Sequence, residues 1–104
     1  MWATHLIEAL QDGRQVTYRP RGHSMTPLIH SGDTVTLSPA CRAYYYYEPR
    51  IGDIVLARVR GRVYLHMVKA RQGKRYLIGN NHGHNNGWTS RANIYGQVTY
   101  VQRD

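Results

Sequence analysis

Ile54-Val55-Leu56-Ala57-Arg58-Val59, then Arg60-Gly61, then Arg62-Val63-Tyr64-Leu65-His66-Met67-Val68 form one uninterrupted stretch. Two runs rich in β-branched and apolar residues flank a two-residue connection whose glycine can take positive φ. This predicts a hairpin of strands 54–59 and 62–68. Side chains alternate along a strand, so Tyr64, His66 and Val68 point to one face and Leu65 and Met67 to the other. A rigid element, not a loop, therefore carries His66.

The same period-two pattern recurs on both sides of the hairpin. Upstream, 15–19 carries Val16 and Tyr18 at alternate positions, and 33–37 alternates polar and apolar residues before Ser38-Pro39 ends it. Downstream, 75–78 and 94–101 read as strands separated by the polar stretch 79–87. Four consecutive tyrosines, 44–47, would place two rings on each face of a strand. They would form either a packed edge or an apolar lip facing a substrate or a membrane surface. Helical spacing is confined to 3–12, where Leu6, Ile7 and Leu10 recur and Asp12-Gly13 stops the run. Together these elements predict a mostly β fold, a coiled, mixed or antiparallel β-barrel-like domain with one short N-terminal helix, spanning 1–104 as a single domain.

Composition narrows the function classes. The chain has no run of about 18 apolar residues and no basic-then-apolar leader, so a soluble protein with no transmembrane anchor is expected. Cys41 is the only cysteine, which excludes an internal disulfide and a cysteine-based zinc site and points to a reducing cytoplasm. Fourteen Lys and Arg against six Asp and Glu give a formal charge of +8. Arg58, Arg60, Arg62, Lys69, Arg71, Lys74 and Arg75 fall around the hairpin and the loop after it. They form either a solvated strand face or a weak, non-specific contact for nucleic acid. His82 and His84 make a His-x-His pair with neither carboxylate nor cysteine beside it, so no metal and no cofactor are expected.

One serine stands out. Gly22-His23-Ser24-Met25-Thr26-Pro27 places Ser24 at a bend between two predicted strands, with Gly32-Asp33 shortly after. Such a serine either caps a turn or acts as a nucleophile. A hydroxyl at neutral pH needs a base within hydrogen-bond reach to become nucleophilic, and histidine suits the task, with an ordinary pKa near about 6.5. Gly22 allows close approach in the bend, and Pro27 fixes φ after the serine.

The ordered set Ser24-Met25-x-Pro27, Gly32-Asp33, Gly52-Asp53-Ile54-Val55 and the His66 strand resembles the serine peptidases of the signal-peptidase and SOS-repressor superfamily. It is most similar to the signal peptidases in which histidine replaces the lysine base. The resemblance runs from about Gly22 to Val101 and looks like the bare catalytic module. It implies Ser24 as nucleophile, His66 as general base and then acid, and the backbone around Gly22, Ser24 and Met25 as the oxyanion hole. Pro27 and Tyr64 would lie on the substrate side. In the histidine-type relatives the loop after the base strand carries a carboxylate that orients the histidine. Here Gly79-Asn80-Asn81 and Asn85-Asn86 stand in its place, with no acid between Asp53 and Asp104. Asn80 is the first choice for the orienting residue and Asn85 the second. The expected activity is cleavage of an extended polypeptide in trans, since no Ala-Gly or Cys-Gly pair precedes Ser24. The alternative is a weakened or inactive member of the fold that binds protein or nucleic acid as a regulator.

Overall fold

A computed structural model describes residues 1–42 and 45–103. Helix α1 (Thr4–Gln11) is followed by strands β1 (Val16–Tyr18), β2 (Thr34–Pro39), β3 (Cys41–Arg42), β4 (Tyr45–Tyr46), β5 (Ile54–Val59), β6 (Arg62–Gln72), β7 (Arg75–Gly79), β8 (Asn85–Ser90) and β9 (Ile94–Gln102). A single 3-10 turn, Arg91–Asn93, precedes β9. Seven strands form one sheet in the order β1-β2-β9-β5-β6-β7-β8, and β3 and β4 pair separately. Every pairing is antiparallel. The fold is mostly β and antiparallel, as expected of a β-barrel-like peptidase fold. Long-range pairing of β2 with β9, and of β9 with β5, brings the two halves of the chain into one sheet.

The predicted hairpin is present. Val59 pairs with Arg62, and both turn residues have positive φ, 51° at Arg60 and 83° at Gly61. Positive φ at both central positions marks a type I′ turn, whose twist matches that of the flanking strands. Two regions depart from the sequence pattern. The stretch 79–87 is not wholly a connection, because β8 begins at Asn85 and pairs along β7 from Gly79↔Asn85 to Arg75↔Ser90. The four tyrosines are not one strand: Tyr45 and Tyr46 make up β4, while Tyr47 lies beyond it with its side chain buried. Tyr44 lies outside the described residues.

The sheet's two faces bury different cores. On one, Leu6, Ile7 and Leu10 of α1 pack against Val35, Leu37, Leu56, Val63 and Leu65. Gly96 of β9 permits this approach, since a Cβ there would stand 2.8 Å from Leu10 Cδ1 and 2.9 Å from the Ser38 carbonyl oxygen. On the other face β8 curls back toward β5, where Thr89 Oγ1 donates to the Arg58 carbonyl (2.7 Å). This encloses Val55, Ala57, Val59, Val68, Tyr76 and Ile78. Each fully buried aliphatic side chain contributes about 1.5–3 kcal/mol, so both cores matter to a chain this short.

One turn device occurs twice. In His30-Ser31-Gly32-Asp33 and in Arg50-Ile51-Gly52-Asp53 the aspartate N–H donates to the carbonyl three residues back, and the glycine takes positive φ, 89° and 98°. Each carboxylate also accepts from the backbone N–H of the first turn residue, at 2.8 Å and 3.0 Å. Both Gly-Asp pairs noted in the sequence are therefore strand-entry locks. Asp33 is additionally bound by the Arg103 guanidinium, and Asp53 by the Tyr47 hydroxyl.

Candidate active site

Ser24 sits in a bend closed at its base by Gly32 N–H donating to the Pro20 carbonyl (3.0 Å), with Gly22 at φ 95°. Thr26 N–H donates to the His23 carbonyl (3.2 Å), and Ile29 N–H to that of Met25 (3.0 Å). Met25 and Ile29 are buried in the helix-side core, whereas Ser24 is exposed. Burying one thioether thus anchors the bend and turns the neighbouring hydroxyl outward. Pro27 follows Thr26 through a cis peptide and is exposed.

His66 lies on β6, opposite Val55 of β5. As strand alternation requires, Leu65 and Met67 join the helix-side core while Tyr64 and Val68 pack on the other face. Tyr64 stacks on the His66 ring, with centroids 5.2 Å apart and planes inclined by 20°. The imidazole Nδ1 stands 2.6 Å from Asn86 Oδ1. An amide oxygen can only accept, so Nδ1 carries the proton and Nε2 is the lone-pair nitrogen. That tautomer is the one a general base requires.

Neither sequence-selected asparagine occupies this position. Asn80 Oδ1 accepts the backbone N–H groups of His82 (2.8 Å) and His84 (3.0 Å), organising its own loop. The Asn85 side-chain oxygen lies against Gly79. The contact falls to Asn86 because the β7–β8 register shifts between Ile78 and Gly79, leaving Asn86 between the paired residues Asn85 and Gly87. Only the clustering of asparagines in 80–86 signalled this residue, and simple alternation could not choose among them.

The same loop grips the serine bend. Asn81 N–H donates to the Ser24 carbonyl (2.8 Å), and Asn81 Nδ2 to that of Thr26 (2.9 Å). The connection between β7 and β8 therefore touches the Ser24 backbone with Asn81, and the start of β8 that follows it reaches the His66 ring with Asn86. Among the described residues no hydrogen bond joins Ser24 Oγ to His66 directly. Nor do these residues contain a group of three His, Cys, Asp or Glu placed to hold a metal ion. His82 is engaged instead with Thr26 and His23.

A family model described as Peptidase S24-like matches residues 4–99. The chain belongs to that family. No curated protein matches it.

In this S24-like chain the pKa of His66 is pushed below the ordinary histidine value, chiefly because burial penalises the imidazolium. The hydrogen bond to Asn86 works in the opposite direction, and the nearby His84 adds a small further lowering. The ring is therefore neutral, and able to accept a proton, over a wider pH range than free histidine. Beside the bend, an open groove of about 370 Å³ is lined by Leu28, Gly52, Asp53, Ile54 and the β9 segment 98–101. Of the lining residues, Leu28 and Tyr100 are large hydrophobic side chains left exposed. Neither Ser24 nor His66 lines it. Among the described residues no helix is long and apolar enough to cross a membrane.

Proposed function

We propose that this S24-like chain is a serine endopeptidase that cleaves an extended polypeptide in trans through a Ser24–His66 dyad, with Asn86 as the residue that orients the base. The observation that carries the reading is the 2.6 Å contact between His66 Nδ1 and Asn86 Oδ1, which leaves Nε2 deprotonated. In this mechanism Nε2 takes the Ser24 hydroxyl proton as Oγ attacks the substrate carbonyl. Backbone N–H groups around Ser24 and Met25 receive the developing oxyanion, and the imidazolium returns its proton to the leaving amine. Water then releases the acyl group with His66 again as base. The reading takes 1–104 as one peptidase domain and, from the single cysteine, assigns it to the cytoplasm.

A second reading, an inactive relative that holds nucleic acid, is favoured by the charge of +8 and by the exposed Arg60, Arg62, Lys74 and Arg75 at the two hairpin turns. A fluorophosphonate probe separates the two. Stoichiometric labelling of the wild type, lost in Ser24→Ala and reduced by about 10²–10⁴ in rate in His66→Ala, is expected of the peptidase. No labelling, together with DNA retention that vanishes at a few hundred millimolar salt, would replace it with the second reading.

A further inference from the structure

We propose that His82 is a positioning residue for Ser24, a latch whose grip does not depend on its charge; the inference rests on the peptidase reading above. Its Nε2 stands 2.9 Å from Thr26 Oγ1 and 2.9 Å from the His23 carbonyl oxygen, while Thr26 Oγ1 donates to that same carbonyl at 2.9 Å. A carbonyl only accepts, so Nε2 carries the proton. The threonine hydroxyl, having given its hydrogen to His23, accepts from the ring. His23 and Thr26 bracket Ser24-Met25 in the chain, so this closed triangle fixes both ends of the dipeptide that bears the nucleophile.

The latch is braced from beneath. The peptide unit joining Asn80 to Asn81 accepts the Lys69 ammonium at its carbonyl (3.0 Å) and donates from its N–H to the Ser24 carbonyl (2.8 Å). A charge at one end of an amide strengthens donation at the other, so Lys69 reinforces the hold on Ser24 through the backbone. Asn80 Oδ1 in turn pins the His82 N–H at 2.8 Å, setting where the ring stands. Because the same loop continues to Asn86, nucleophile and base are referenced to a single segment. The core anchor of the bend is Met25, buried on the other side, so removing the ring loosens the bend without opening the core. Nε2 carries its hydrogen in the neutral tautomer and in the imidazolium alike, so the latch holds in both states.

The experiment compares wild type with His82→Ala and His82→Gln, the glutamine placing an N–H donor where Nε2–H stood. Amide exchange at Asn81, read by NMR, is expected to quicken about threefold to tenfold in His82→Ala. On a peptide substrate, kcat should fall by on the order of tenfold to a hundredfold with KM nearly unchanged, since the loss is one of orientation. Glutamine should restore most of both, and the pH midpoint of activity should be the same in all three proteins. Unchanged Asn81 exchange in His82→Ala overturns the latch. So does a shifted pH midpoint, which would mean that His82 acts through His66, and so does a failure of glutamine to rescue. If the wild type is not acylated by a fluorophosphonate the peptidase reading falls, and the exchange comparison still decides whether His82 holds the bend.

Discussion

The chemistry of His66 turns on one neighbour. Asn86 fixes the tautomer of the ring but, being uncharged, offers an imidazolium only a dipole. Replacing it by aspartate puts a carboxylate against Nδ1–H, which favours the protonated ring and raises its pKa. In Asn86→Asp the acid limb of the pH–rate profile is therefore expected to move upward from its wild-type position below the ordinary histidine value, with faster turnover on the plateau. An NMR titration of His66 beside steady-state kinetics measures both, and an unmoved midpoint would remove Asn86 from its role. As candidates, Ser24 and His66 are legible in the sequence because Gly-x-Ser-Met-x-Pro and the hairpin register are local patterns. Asn86 is not, since its contact depends on a register shift between Ile78 and Gly79 that nothing in 79–87 announces.

At the scale of elements, α1 sits on β9 because one residue there lacks a side chain. A methyl group at Gly96 would meet Leu10 at 2.8 Å and, more stubbornly, the backbone oxygen of Ser38 at 2.9 Å. Gly96→Ala is expected to lower unfolding free energy by about 1–3 kcal/mol, as overpacked cores do, and a denaturant titration reads the change directly. A variant as stable as wild type would mean that helix and strand separate more easily than their packing implies. The hairpin of β5 and β6, the helix and the strands ending at Pro39 and near Val101 were visible as periodicity. Strand β8 escaped because Asn85-Asn86-Gly87 has the composition of a loop. Its pairing is set by the adjacent β7 across a shifted register, and not by any alternation of its own.

Among the described residues, His66 and Asp33 each couple protonation to folding, and both destabilise toward acid. His66 binds its proton less readily folded than unfolded, so its contribution is complete above the ordinary value of 6.5 and is lost as pH falls through the lower folded value. Asp33, bonded by Arg103 and by the His30 N–H, also has a lowered pKa. Its contribution is complete above 3.8 and fades as pH falls below that. Thermal melts should decline in these two steps. His66→Gln is expected to flatten the upper step and Asp33→Asn the lower, and a single step that neither variant alters would contradict the assignment.

Arg91 reaches three carbonyls from the 3-10 turn before β9: Ala40 at 2.7 Å, Tyr47 at 2.6 Å and 3.0 Å, and Ile94 at 3.3 Å. Ala40, ahead of β3, and Tyr47, after β4, are thus tied to one another through a single guanidinium. These two stems are held independently of whatever lies between them. Loop-closure entropy grows only slowly with length, so a longer or foreign peptide spliced there costs little once the stems are held. A peptide inserted between β3 and β4 would therefore meet stems that Arg91 already holds together.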